Sequence, residues 1–393
     1  MLVLVAPGQG AQTPGFLTPW LELPGFRERV AWLGACAGLD LEYYGTKARA
    51  EEIRDTAVTQ PLLVAGSLVT AVTLFPQPVD AFARIGAAAG HSVGEVAAAA
   101  GAGVISAEQA MVFVRERGKA MALAANGEQA GMTAVLGGDP DDVLAKLAEH
   151  DLEPANVNGA GQVVAAGSLD ALERLTADPP TGARLRPLQV AGGFHTATMA
   201  PAVEHLSQYA SAITTRDPRT RLLSNADGGV VHSGTEFLQH LVEQVAMPVR
   251  WDLVMATMKS LGVTALIEMP PAGTLVGLAR RELPGVQTLA LKTPDDLPEA
   301  RRLVEEHGRP SELENNPTWR LVVAPQKGTF HRTDTEAGTP LPAGSVVGSL
   351  SVRNNDQPVT ARHGGVIVEW LVEDGDPVSP GQPLVRLHPE VPA

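Results

Sequence analysis

The chain opens on an uninterrupted apolar run, Met1 to Ala6, which Pro7-Gly8 stops. A short run without polar alternation, ended by a breaker, predicts a strand buried on both faces. Residues 26–39 and 61–74 carry the apolar spacing of helices. Ala81 to Ala89 contains a further short run that leads into Gly90-His91-Ser92, after which 93–102 and 107–124 return to helical spacing. Strand, turn and helix in succession predict an α/β core on a parallel sheet.

The rhythm changes over 131–188. MTAVLG has strand character, DPDDVLAKLAEH reads as a capped helix, and EPANVN and GQVVAAG read as strands around a glycine turn. SLDALERL follows as a second helix and ARLRPLQVAG as a last strand. The order βαββαβ predicts a ferredoxin-like subdomain at 126–191. It reads as an insertion, because α/β patterning resumes after residue 195. A polar stretch bounded by Pro310 and Pro317 predicts a linker at 309–318, closing a first domain of 1–308. Beyond it, 319–393 alternates Val-rich runs with Gly/Pro turns. Ala324, Gly328, Pro340, Gly344 and Leu350 recur 37 residues later as Ala361, Gly365, Pro377, Gly381 and Leu387. Five matches at one offset predict two similar β layers related by a pseudo-two-fold.

Composition narrows the chemistry. Of 393 residues, 44% are hydrophobic but only 4% aromatic, so Ala, Val, Leu and Gly must fill the core. The net charge of −14 argues against a nucleic-acid partner. An acidic partner remains possible where basic residues cluster; Arg184, Arg186, Arg280, Arg281 and Lys292 are candidates. Cys36 is the single cysteine, which excludes intrachain disulfides and multi-thiolate zinc sites. No basic segment precedes the first apolar run, and no stretch reads as long enough to cross a membrane. A cytoplasmic protein without a membrane partner is expected.

Gly90-His91-Ser92-Val93-Gly94 is a GxSxG motif between a strand-like and a helix-like run, the setting of a nucleophile elbow. Ser92-Val93-Gly94-Glu95 equally fits a helix capping box, which needs no chemistry. A serine nucleophile requires a base. His195, in GGFHT where a strand ends, is one of ten histidines that could serve.

Several ordered motifs decide between these readings: PGQGAQ at 7–12, TQPLL at 59–63, GHSVGE at 90–95, RGKAM at 117–121, NVNGAGQVVAAG at 156–167, GGFHTATM at 192–199 and MPVRW at 247–251. With them, residues 1–308 resemble the malonyl-CoA:acyl-carrier-protein transacylases. The resemblance implies a serine acyltransferase fold with an α/β-hydrolase-like core. It implies that His195 takes the proton of Ser92, which attacks malonyl-CoA to give a malonyl-serine ester. The phosphopantetheine thiol of an acyl carrier protein then resolves that ester. The oxyanion would be held by the backbone N–H groups of Val93 and Gln9, although Gln9 also fits a plain tight turn.

The resemblance also places a carboxylate-binding arginine at Arg117, whose fork suits the free carboxylate of a malonyl group. Arg115 and Lys119 nearby leave open a solvated helix face instead. Gln60 and Met121 fall beside it as substrate-pocket residues. Phe194, just before the histidine, resembles malonyl-selective members; its ring would crowd an α-methyl branch by on the order of 1–3 kcal/mol. Two departures stand out. Met247-Pro248-Val249 replaces the family's Asn-Pro-Val, where a backbone carbonyl orients the histidine, and Pro270-Pro271-Ala272 replaces Gly-Pro-Gly.

Residues 319–390 resemble the biotinyl/lipoyl carrier domain through VVAPQKGTF, VTARHGGVIVEWLVEDGDPVSPGQPLVRL and the repeat. That family carries its cofactor on a lysine at a hairpin tip, and the equivalent position here is Asn354. No biotin or lipoate is therefore expected, nor any other cofactor or metal; docking or assembly is the expected role. Two other functions remain in view: an acyl hydrolase acting on carrier proteins, using Ser92 and His195 without a carboxylate clamp, and a scaffold recruiting a synthase or carboxylase through the tail.

Overall fold

A computed structural model describes the chain apart from residues 127–128, 191, 312–319, 353–354 and 389–393 and the side chains of 78, 79 and 82. It divides into two compact units, Met1–Glu312 and Leu313–Ala393.

The first unit is built on strands β1 (Leu2–Ala6) and β2 (Ala87–Gly90), joined later by β7 (Arg221–Leu223), β9 (Ala265–Glu268) and β10 (Gln287–Ala290). All five run parallel in the order β10-β9-β1-β2-β7. Leu2, Leu4 and Ala6 enter one core cluster and Val3 and Val5 the other. Both faces of β1 are thus covered, which is why its sequence shows no polar alternation. Helices Phe26–Ala37, Thr56–Leu74, Gly94–Gly101 and Ala107–Ala125 pack around the sheet.

The second of these helices begins earlier than the expected 61–74. Asp55 caps it at Ala57 N–H, and Pro61 lies inside the helix rather than opening it. Its 19 residues have the length and apolar character to cross a membrane, contrary to the expectation that no stretch does, yet 78% of that span is buried in the core.

Between β2 and β7 lie β3 (Ala130–Gly137), β4 (Glu153–Gly159), β5 (Gln162–Ser168) and β6 (Ala183–Pro187), with helices Pro140–Glu149 and Leu169–Ala177 interposed. The sheet order is β6-β3-β5-β4, antiparallel throughout, extended by a two-residue strand, β8 (Val249–Arg250), parallel to β4. The sequence pattern does not show β8. It returns from the main body and ties the inserted sheet to the segment just before it, 244–247. At the far end, Arg309 N–H bonds the Arg84 carbonyl and Ser311 is fully buried, so the first unit runs past the expected limit of 308. The rest of the expected linker, from residue 312, lies outside the described residues.

Among its described residues the second unit has eight strands: β11 (Arg320–Val323), β12 (Gly328–Arg332), β13 (Pro340–Leu341), β14 (Val346–Val352), β15 (Asn355–Thr360), β16 (Gly365–Trp370), β17 (Pro377–Val378) and β18 (Pro383–His388). They form two antiparallel sheets, β11-β18-β16-β13 and β15-β14-β12-β17. Advancing the first half by 37 residues carries Gly328 of β12 onto Gly365 of β16 and Pro340 of β13 onto Pro377 of β17. The same exchange of halves converts one sheet order into the other. Phe330, Leu350, Ile367 and Leu387 lie in the core between the sheets. Strands β14 and β15 form a hairpin that pairs Val352 with Asn355; Asn354 itself lies outside the described residues.

Candidate active site

Strand β2 ends at Gly90 and the next helix starts at Gly94, so the chain must reverse within three residues. It does so by placing Ser92 in the left-handed region, at φ 52°, a conformation that costs a non-glycine residue energy and persists where its surroundings enforce it. The flanking glycines make room. A β-carbon on Gly90 would sit 1.9 Å from the carbonyl carbon of Gly94, and one on Gly94 2.2 Å from the Ala6 carbonyl oxygen. Asn225 braces the turn: its Oδ1 accepts from Ser92 N–H and its Nδ2 donates to the Gly90 carbonyl, both at 2.8 Å.

Ser92 does not cap the helix. Val93 occupies the cap position without a side-chain bond, and the capping-box reading fails. Ser92 Oγ lies instead 2.7 Å from His195 Nε2. His195 is also left-handed, at φ 63°, and its backbone N–H bonds the Val245 carbonyl. Its Nδ1 lies 2.7 Å from the Gln244 carbonyl oxygen. A carbonyl only accepts, so Nδ1 carries the proton and Nε2 is left to receive one from Ser92. Burial, and secondarily the Arg117 charge, lower the imidazole pKa to about 3. His195 is therefore neutral and able to act as a base at physiological pH.

Arg117 is fully buried, not part of a solvated face; Arg115 and Lys119 pair instead with Glu116. Its Nη1 donates to Gln60 Oε1 and its Nη2 to Gln244 Oε1, each at 2.7 Å, with Nη2 also 3.3 Å from Ser92 Oγ. Arg117 Nε is buried without an acceptor, and no carboxylate stands within ion-pair distance among the described residues. Burial lowers its pKa to about 10, which leaves it cationic. Gly118 allows this placement: a β-carbon there would lie 2.8 Å from the Thr56 carbonyl, so the helices bearing Arg117 and Gln60 approach closely. The site thus holds a hydroxyl, a neutral base and a buried cation with no carboxylate in ion-pair contact among the described residues; the acidic group it feels is Glu95, across the Gln244 amide.

Gln9, Gln60, Val93, Met121, Phe194 and His195 line one pocket around Ser92, with His91, Met132, Asn156, Leu188 and Val190. The Gln9 side chain turns away toward the Arg54 carbonyl and Thr56 Oγ1. Among the described residues the backbone N–H groups of Gln9 and Val93 donate to no protein acceptor. Gln60 Nε2 reaches Met121 Sδ at 3.3 Å.

The acyl transferase domain family matches residues 3–293. The chain belongs to the acyl transferase family. A Mycobacterium tuberculosis relative named malonyl CoA-acyl carrier protein transacylase is 52% identical over 303 residues, covering 77% of this chain and all of the relative. The Escherichia coli K12 protein of the same name is 35% identical, over 76% of this chain and 98% of its own length. The crystal structure of MCAT from Mycobacterium tuberculosis superposes with a TM-score of 0.74, covering 77% of this chain and 99% of that one. A malonyl-transacylase solved in complex with its type II PKS acyl-carrier protein gives 0.70 at 30% identity, over 77% and 99% of the two chains.

Within this family frame the two departures have structural readings. The carbonyl at 2.7 Å from His195 Nδ1 belongs to Gln244, three residues before Met247, whose side chain is exposed. The Met247 backbone makes a second, weaker contact with the imidazole, as expected; both contacts are main-chain, so the replacement at 247 leaves them in place. Pro270-Pro271 is joined by a cis bond, and nothing in the structure gives this replacement a functional role. Arg184, Arg186, Arg280, Arg281 and Lys292 are all exposed.

Sequence reasoning missed Asn225 and Gln244, which lie in none of the recognised motifs, and read Glu95 only as a cap partner. Glu95 is 1% exposed, and burial pushes its carboxyl up to about 8. Asn225 N–H donates to its Oε1, and Gln244 Nε2 to its Oε2.

Proposed function

We propose that the chain moves a malonyl group from malonyl-CoA to the phosphopantetheine thiol of an acyl carrier protein. The observation that carries this reading is Arg117, a buried cation without a carboxylate partner, 3.3 Å from Ser92 Oγ. An acyl-CoA with a second, free carboxylate supplies the missing anion while presenting its thioester carbonyl to the serine. An acyl hydrolase has no use for that charge.

Ser92 Oγ forms the new C–O bond as its proton passes to His195 Nε2. The tetrahedral oxyanion falls to the N–H groups of Val93 and Gln9. Its collapse breaks the C–S bond, and the proton on His195 goes to the departing CoA sulfur. The carrier thiol repeats the sequence in reverse, giving its proton to His195 and attacking the malonyl-serine ester. Gln60 and Met121 flank the malonyl carboxylate, and Phe194 restricts α-branching.

The antiparallel order β6-β3-β5-β4 with its two helices supports a ferredoxin-like subdomain. The 37-residue exchange of sheets supports a biotinyl/lipoyl-like tail, separate from the acyltransferase domain. Asn354 cannot form the lysine amide of a carrier, so we assign the tail no biotin or lipoate. A role in engaging a synthase or carboxylase fits it better. The reading carries with it a cytoplasmic site of action and a supply of malonyl units to fatty-acid or polyketide assembly.

Radiolabelled malonyl-CoA incubated with holo carrier protein tests the activity. Label on the carrier is expected; label released only as free malonate identifies a hydrolase.

A further inference from the structure

We propose that Glu95 is a positioning residue that sets the carboxylate clamp by fixing which way the Gln244 amide faces; this rests on the reading of Arg117 as that clamp. An amide side chain presents a donor on one side and an acceptor on the other. Gln244 faces two environments that demand opposite groups. On one side is the Arg117 guanidinium, a donor, which its Oε1 meets at 2.7 Å. On the other are the Ser92 carbonyl oxygen, 3.1 Å from Nε2, and the Glu95 carboxyl, also bonded to Nε2. A reversed amide would set oxygen against oxygen at the Ser92 carbonyl and N–H against N–H at Arg117, and would give up the bond that Glu95 Oε2 now accepts. Glu95 adds to the cost of that reversal in a site where the amide is 5% exposed and water cannot compensate.

Glu95 has a second arm. Its Oε1 accepts from Asn225 N–H at 2.6 Å, and the Asn225 side chain braces the Ser92 turn. One carboxyl group, three residues after the nucleophile in the first turn of the helix that follows it, is therefore joined to both the elbow and the clamp without lining the substrate pocket. A residue that only supported the fold would affect every acyl donor alike. A residue that aims Arg117 must affect donors bearing a carboxylate more than donors lacking one.

The test is Glu95→Gln in the full chain, assayed with malonyl-CoA and acetyl-CoA as donors. The rate at which an uncharged fluorophosphonate labels Ser92 serves as a readout of the Ser–His pair. Glu95→Gln keeps one side-chain oxygen to accept from Asn225 N–H, so the elbow keeps its brace while the group facing Gln244 changes; the KM for malonyl-CoA is expected to rise by about tenfold while acetyl transfer and Ser92 labelling change by less than about twofold. Equal losses with both donors, or labelling that falls as far as malonyl transfer, overturn the proposal. Arg117→Ala runs alongside. If it leaves malonyl preference intact, the clamp reading fails and this inference with it. If it removes the preference and Glu95→Gln does not, only the inference fails. Should Glu95→Gln not fold, Glu95→Asp, which shortens both arms by one methylene, is read by the ratio of malonyl to acetyl transfer: a fall in that ratio supports the proposal and an unchanged ratio overturns it.

Discussion

A β-carbon on Gly94 would lie 2.2 Å from the carbonyl oxygen of Ala6, the last residue of β1. The strand and the helix after the nucleophile touch backbone to backbone, and neither can retreat, because β1 is the middle strand of its sheet. Gly94→Ala should therefore destabilise by roughly 3 kcal/mol or more. Gly101→Ala, at the far end of the same helix with nothing within 4 Å of a new β-carbon, should be neutral or stabilising by about 0.4–1 kcal/mol. Thermal melts of the two variants check this; similar melting temperatures would contradict it.

Ser92→Ala should retain the melting temperature of the parent, since the hydroxyl caps no helix, and should form no covalent malonyl adduct. Intact-mass measurement after mixing with malonyl-CoA reads this directly. A single adduct belongs on the parent chain only.

Arg117→Ala should lower kcat/KM for malonyl-CoA by about 10–100-fold, the range of one or two hydrogen bonds to a charged group, with a much smaller change for acetyl-CoA. It should also raise the His195 pKa, because the guanidinium is second only to burial in depressing it. The acidic limb of the pH–rate profile should move to higher pH in the variant. A limb that stays in place would show that the arginine does not act on the imidazole.

Two buried groups give stability opposite pH slopes. His195 titrates near pH 3 in the folded chain and near 6.5 when exposed. Between those values only the unfolded chain binds its proton, so stability falls as pH drops through that window. Glu95, pushed up to about 8 from 4.5, keeps its proton in the folded chain where the unfolded chain has released it. Its contribution is whole below pH 4.5 and is lost as pH rises through 8. In denaturation series across pH 5–9, Glu95→Gln should flatten the alkaline decline and leave the acidic one. An unchanged alkaline slope would mean that Glu95 is ionised in the fold.

A chain ending at residue 312 should keep malonyl transfer to a free carrier protein, since every group around Ser92 belongs to the first unit. One ending at 308 should be less stable by about 1 kcal/mol, having lost the Arg309–Arg84 backbone bond. Comparing rates and melts of both truncates separates the two effects. A stable 312-residue form without transfer would assign the tail a part in catalysis or carrier docking.

Ser92, His195 and Arg117 could be located from the sequence because each stands in a short motif whose neighbours have their own structural reasons: glycines at a backbone contact, a glycine between close helices. Asn225 and Gln244 could not. Their work is done across gaps of 133 and 152 residues from Ser92, by amide groups indistinguishable in sequence from surface ones. Strand β8 escaped for a different reason, since two residues cannot display a period. The start of the helix at Thr56 escaped because Pro61 resembles an opening signal more strongly than the Asp55 cap does.

In the tail, β11 and β13 flank β18 and β16 in one sheet, while β15 and β17 flank β14 and β12 in the other. Neither 37-residue half owns a sheet: each lends two strands to both. The two similar halves are interleaved strand by strand. Cutting the hairpin between β14 and β15 would not release two smaller folded pieces, because each fragment would carry a rim for one sheet and a centre for the other. The tail must form or come apart as a whole, and a partner that grips one half thereby holds both.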